Sequence, residues 1–114
     1  MLNQVVIAGR LTGDPVVEES EGTKMAYVTV AVPRSYKNVD GTYDTDFIEC
    51  TIFDNIAQNT SEYCHKGDIL GVKGRVQSRL VEKENEKRNV IEVIAEKVTF
   101  LTSKKEEVAE ETEE

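Results

Sequence analysis

Residues 45–53 read Thr45-Asp46-Phe47-Ile48-Glu49-Cys50-Thr51-Ile52-Phe53 and alternate without a break. Successive side chains of an extended strand point to opposite faces, so Ile48, Cys50 and Ile52 go to one side and Phe47, Glu49, Thr51 and Phe53 to the other. The period then changes. Asp54 is placed to cap a short helix over 55–64, with Ile56, Ala57 and Tyr63 facing inward, and His65-Lys66-Gly67 supplies late positive charge and a stop glycine. A second long alternation over 69–81 puts Leu70, Val72, Val76 and Leu80 on one face and Lys73, Arg75, Gln77 and Arg79 on the other.

Upstream, Val5, Val6, Ile7, Ala8 and Leu11 make a first strand, closed by the turn signal Gly13-Asp14-Pro15. A second strand over 24–32 carries Ala26, Val28, Val30 and Val32 on one parity and is ended by Pro33, and 34–44 is a polar connection. Downstream, 82–88 is a charged hairpin loop and 89–101 a fifth strand rich in Val and Ile. A ferredoxin-like domain needs two helices in βαββαβ order, and only one is found. Three strands, a helix and two strands make an all-β domain, an OB-fold: a five-stranded Greek-key barrel with one short helix between strands 3 and 4. It occupies 1–101, and the Glu-rich tail over 102–114 lacks the apolar content to fold and is expected to be disordered. Barrels of this kind bind oligonucleotides or oligosaccharides, but the fold alone does not choose between them.

With 114 residues the chain fits one domain, which leaves no room for a second catalytic lobe. The formal charge of −8 divides in two, since 102–114 hold six Glu against two Lys and the rest of the chain is equally negative. A polyanion partner therefore gains nothing from total charge and must be argued from where the cations sit. No segment approaches the roughly 18 apolar residues of a membrane span, and Met1-Leu2-Asn3-Gln4 runs into a strand with no signal-like block, so a cytoplasmic location is expected. Cys50, Cys64 and His65 match none of the usual zinc spacings, and no nucleophile, Walker or Rossmann motif is present. No metal, cofactor or catalyst is expected.

The chemistry lies on the outward parity. Phe47 and Phe53 point away from the core, Lys73, Arg75 and Arg79 lie outward on the neighbouring strand, and Tyr36 sits in the connection beside Arg34 and Lys37. Taken singly, an outward Phe is commonly covered by a helix or subunit, and alternate Lys and Arg are an ordinary solvated face. Their coincidence is what a single-stranded nucleic acid requires: bases stack on rings for about 1–3 kcal/mol each, and cations follow the phosphates. Tyr63 and Phe100 are assigned to packing.

These residues resemble the bacterial and phage single-stranded DNA-binding proteins. The likeness rests on Met1 to Pro15, Ala31-Val32-Pro33-Arg34-Ser35-Tyr36-Lys37-Asn38, Asp46-Phe47-Ile48-Glu49-Cys50, Lys66 to Arg79, and Glu92-Val93-Ile94-Ala95-Glu96, five strings in order across nearly all of 1–101. The resemblance implies a homotetramer that binds single-stranded DNA without regard to sequence and has no enzymatic activity. In a cytoplasmic, nucleoid-associated setting such binding serves replication, recombination, repair or DNA uptake. By position, the stacking rings correspond to Tyr36, Phe47 and Phe53 and the basic contacts to Lys66, Lys73 and Arg79, with Arg75 a neighbour.

Three departures stand out. Val81 replaces a fourth stacking aromatic, and there is no Trp. Glu49 and Asp54 stand where basic or neutral residues are common in the family. The tail reads Glu113-Glu114 in place of an apolar tip with Pro and Phe, so recruitment of replication or repair proteins does not carry over. Two other readings stay open: an OB scaffold of a replication assembly that touches DNA weakly, and an OB module for RNA or another oligomer.

Overall fold

The computed structural model describes residues 1–102. The tail expected to be disordered lies, apart from Thr102, outside the described residues. Six strands and one helix run in the order β1 (Val5–Leu11), β2 (Val16–Ser20), β3 (Thr23–Lys37), β4 (Tyr43–Phe53), α1 (Asp54–Tyr63), β5 (Ile69–Lys83) and β6 (Glu86–Phe100). Five of them, β1-β5-β6-β4-β3, form a ring that closes where Arg10 and Leu11 pair with Ala31 and Val30. The OB barrel expected from strand order is therefore present.

The additional strand, β2, continues the lane of β1 along β3. Arg10 and Leu11 pair with Ala31 and Val30, and after the Thr12–Pro15 interruption Val16 pairs with Tyr27. Its short run, Val-Val-Glu-Glu-Ser, carries too little alternation to be read as a strand. The two-residue turn Glu21-Gly22, with φ of 51° and 79°, makes it one by folding it back on β3. At the closing seam Gly9 has no room for a side chain, because a Cβ would overlap the Ala31 carbonyl oxygen.

Inward residues of every barrel strand meet in one core: Leu11, Ala26, Val28, Val30, Cys50, Ile52, Leu70, Val72, Val93 and Ala95. α1 closes one end of this core, burying Ala57 and Thr60, while Cys64 is buried just beyond it. Ile56 packs against the core as expected, whereas Tyr63 is exposed and tilts against Phe100, with ring centroids 5.8 Å apart. Asp54 does not cap the helix. The cap position is Phe53 with no side-chain bond, and Asp54 is the first helical residue, at φ 54°, a conformation Asp tolerates better than most residues.

Two expected boundaries move for one reason: two strand pairs run on past the barrel as arms. Pro33 does not end its strand but pairs with Thr45, beyond the last β1 partner of β3, where no neighbour needs the amide proton that proline lacks. The loop shrinks to a tight turn in which the Asn38 side chain accepts from the amides of Asp40 and Thr42. Likewise β1 leaves β5 at the Val5–Gly74 pair, after which β5 and β6 continue as a two-stranded arm to the Glu84-Asn85 turn. Val76 and Leu80 share parity with buried Leu70 and Val72, yet they are 37% and 58% exposed because the barrel no longer lies beneath them. At the other end of the sheet Thr102 stays attached, its amide donating to the Ile69 carbonyl and its hydroxyl accepting from the Ile69 amide.

Candidate nucleic-acid interface

The register builds one outward wall. Across four strands, Tyr27 on β3 faces Thr51 on β4, Thr51 faces Ile94 on β6, and Ile94 faces Arg75 on β5. Along β4 the outward lane runs from Phe47 through Glu49 and Thr51 to Phe53, about 20 Å at strand rise. Phe47 is 65% exposed and Phe53 half-buried opposite Met25. A groove lined by Tyr27, Thr29, Glu49, Thr51, Arg79 and Glu92 crosses the lane from β3 towards β5. The groove brings one exposed ring, Tyr27, and one cation, Arg79, together, while Phe47 and Phe53 lie outside its lining.

The other expected site residues are distributed unevenly. Tyr36, 64% exposed, projects from the β3–β4 arm. Lys37 lies with Nζ 6.0 Å from the centre of the Tyr43 ring. Arg34 is held by Asp46, with Nη2 donating to Oδ1 at 2.8 Å and Nε to Oδ2 at 3.1 Å, and Asp44 lies 3.6 Å away. That bond holds the Asp46 carboxyl below the ordinary carboxylate range. Arg75 donates to the Gln77 side chain at 2.6 Å, which fixes it along β5. Lys73 is exposed on the same strand, nearer the barrel. Lys66 stands apart, in the turn before β5, where its amide donates to Asp14. The strand separates Lys66 from Arg79 by more than ten residues, so the two do not belong to one cluster.

Three charged residues escaped the sequence reading. Lys97 lies directly opposite Lys73, and Arg88 directly opposite Val81, where the fourth ring is missing. Glu92 lies in the groove, its side chain 7% exposed, accepting the Thr51 hydroxyl at 2.7 Å and facing Arg79 Nε at 3.4 Å. Centring the hairpin on Glu84-Asn85, whose φ values are 49° and 69°, places Arg88 opposite Val81 and Glu92 opposite Gln77, whereas Lys97 meets Lys73 only through the register shift between Lys73 and Gly74. The loop assigned to 82–88 concealed that centre.

The two cysteines take no part in this wall. Both are buried, and burial pushes each thiol up to about 11, helped at Cys64 by the nearby Asp68 carboxylate.

A closed barrel with open rings and a basic strand on one wall defines the class, a small OB-type binding barrel. Within that class the chain belongs to the Single-strand binding protein family, which it matches over residues 2–101. It is 44% identical over 111 residues to single-stranded DNA-binding protein B of Bacillus subtilis (strain 168), covering 96% of this chain and 98% of that one. It is 43% identical over 106 residues to single-stranded DNA-binding protein 3 of Listeria innocua and 42% identical to single-stranded DNA-binding protein 1 of Staphylococcus aureus (strain COL). Those matches cover 91% of this chain but 66% and 64% of the relatives.

Proposed function

We propose that the protein binds and protects single-stranded DNA without regard to sequence, in replication, recombination, repair or DNA uptake. Bases stack on Tyr36, Phe47 and Phe53, and phosphates are followed by Lys73, Arg75 and Arg79, with Lys97 and Arg88 extending the track. The observation that carries this reading is the groove that brings the exposed Tyr27 ring to Arg79, on the wall where Phe47 also stands exposed. Family membership and the names of the relatives support the choice of single-stranded DNA. Three rings supply about 3–9 kcal/mol before the cost of ordering the strand, so the absent fourth ring leaves binding intact.

The binding unit in this proposal is a homotetramer, supported by apolar side chains left exposed at Leu2, Val6, Leu80 and Ile91. One strand passing over several barrels raises effective concentration without new kinds of contact. Lys66, Arg34 and Lys37 serve at the margins, since the first is remote and the other two are engaged within the protein.

The test is anisotropy of a labelled thymine oligonucleotide, the same-length RNA and a duplex at several salt concentrations. The expected result is preference for the DNA single strand and a log-log salt slope of about −0.7 per phosphate neutralised. Equal binding of RNA, or no binding of the single strand, overturns the proposal. Sedimentation tests the tetramer, and a monomer at micromolar concentration refutes it.

A further inference from the structure

Glu92 is an unusual residue to find in the floor of a groove proposed to receive a polyanion. Its side chain is almost completely buried, and a buried carboxylate needs both hydrogen bonds and a counter-charge to remain ionised. Thr51 supplies the first through its hydroxyl, and Arg79 the second through Nε, both to the same oxygen, Oε2. Arg79 is held from one side only. Its side chain is about half exposed, and among the described residues its two Nη groups make no hydrogen bond or ion pair, so they remain open to an acceptor arriving from solvent.

We infer that Glu92 is a positioning residue that sets the affinity and salt dependence of this wall, by fixing Arg79 through Nε while offsetting the charge that Arg79 presents to a phosphate. This inference rests on the proposed single-strand binding. The Thr51 bond keeps the carboxylate in place when the phosphate arrives, so carboxylate, guanidinium and phosphate stand in series. Two effects oppose each other. Fixing Arg79 removes the cost of ordering one long side chain. Retaining a negative charge just behind it repels the phosphate through a partly desolvated groove, where charges interact more strongly than in bulk water. The second effect is the larger, because Nη groups projecting into an open groove need little ordering, whereas Glu92 and the phosphate share a single guanidinium charge that cannot fully offset both. The wall consequently binds less tightly, and with a shallower salt slope, than its row of cations suggests.

The test measures thymine-oligonucleotide binding across salt concentrations for the wild type, Glu92→Gln, Arg79→Gln and the double variant. Glu92→Gln keeps the shape and an acceptor for Thr51. It is expected to bind about five- to tenfold more tightly at low salt, with a slope steeper by up to about 0.7. In the Arg79→Gln background the same change is expected to leave the slope unaltered. Unchanged affinity and slope in Glu92→Gln overturn the inference, as does an equal gain in both backgrounds, which means that the carboxylate repels DNA without acting through Arg79. A purely structural role lowers the thermal midpoint without steepening the slope, and that outcome also refutes it. A measurement on the unmodified protein guards against misfolding of the variant: the Arg79 Nε–H resonance is expected to persist in the DNA complex, and its loss on binding contradicts the series arrangement. A wild type that fails to bind the oligonucleotide defeats the proposed function itself. Binding by the wild type with an indifferent Glu92→Gln defeats this inference alone.

Discussion

Arg34 reaches diagonally across the β3–β4 arm to Asp46, the register partner of Val32, in a two-pronged ion pair beyond the point where the barrel ends. The arm that carries Tyr36 is therefore tied at its base by charge, and the Arg34 charge is largely consumed within the protein. Asp46 titrates below the ordinary carboxylate value of 3.8, with its hydrogen bond from Arg34 the main cause. A depressed folded pKa means that the pair stabilises the arm fully above the unfolded value and ceases to do so as pH falls through the folded one. Carboxyl NMR titration is expected to place the Asp46 midpoint below 3.8, and Arg34→Ala to return it upward. An Asp46 midpoint at the ordinary value dismisses the tie.

Phe47 is exposed and touches little of the core, so Phe47→Ala is expected to weaken oligonucleotide binding by about 1–3 kcal/mol while changing stability by no more than about 0.5 kcal/mol. The salt slope stays as it was, since no charge is removed. A lost slope would show that the residue acts through a cation instead.

Lys73 and Lys97 lie opposite each other, and only Lys73 was recognised as a site residue. Replacing either by Ala is expected to flatten the salt slope by up to about 0.7, with the thermal midpoint kept. If Lys97→Ala has no effect on binding, the DNA track does not reach that edge of β6.

Gly9 lies where the β1 backbone passes against Ala31 at the closure of the ring. Gly9→Ala drives a methyl group into the Ala31 carbonyl and is expected to cost about 1–3 kcal/mol of unfolding free energy in urea titration. An unshifted midpoint argues that the seam adjusts freely.

Both thiols are buried and raised to about 11, so Cys50 and Cys64 are expected to resist alkylation at pH 8 in the native protein and to react once denaturant is added. Rapid native labelling of Cys50 would place it outside the barrel core.

The sequence by itself determined the barrel and the wall. Alternation is a local property, and residues 45–53 and 69–81 carry enough of it to orient Phe47, Phe53, Lys73, Arg75 and Arg79 before any strand is paired. The short β2 was missed because five residues with two adjacent valines carry little periodicity, and its existence depends on the turn at Glu21-Gly22. What only the tertiary structure decided is where the barrel stops and which cations are left free. Val76 and Leu80 keep the inward parity yet face no core, because β1 ends at the Val5–Gly74 pair. Arg34 meets Asp46 and Arg79 meets Glu92 through strand registers set by the turns and the bulge that connect their strands. A period of two tells each side chain which way to point. It does not tell that side chain which distant charge will lie beside it, since that depends on how far one strand slides along another.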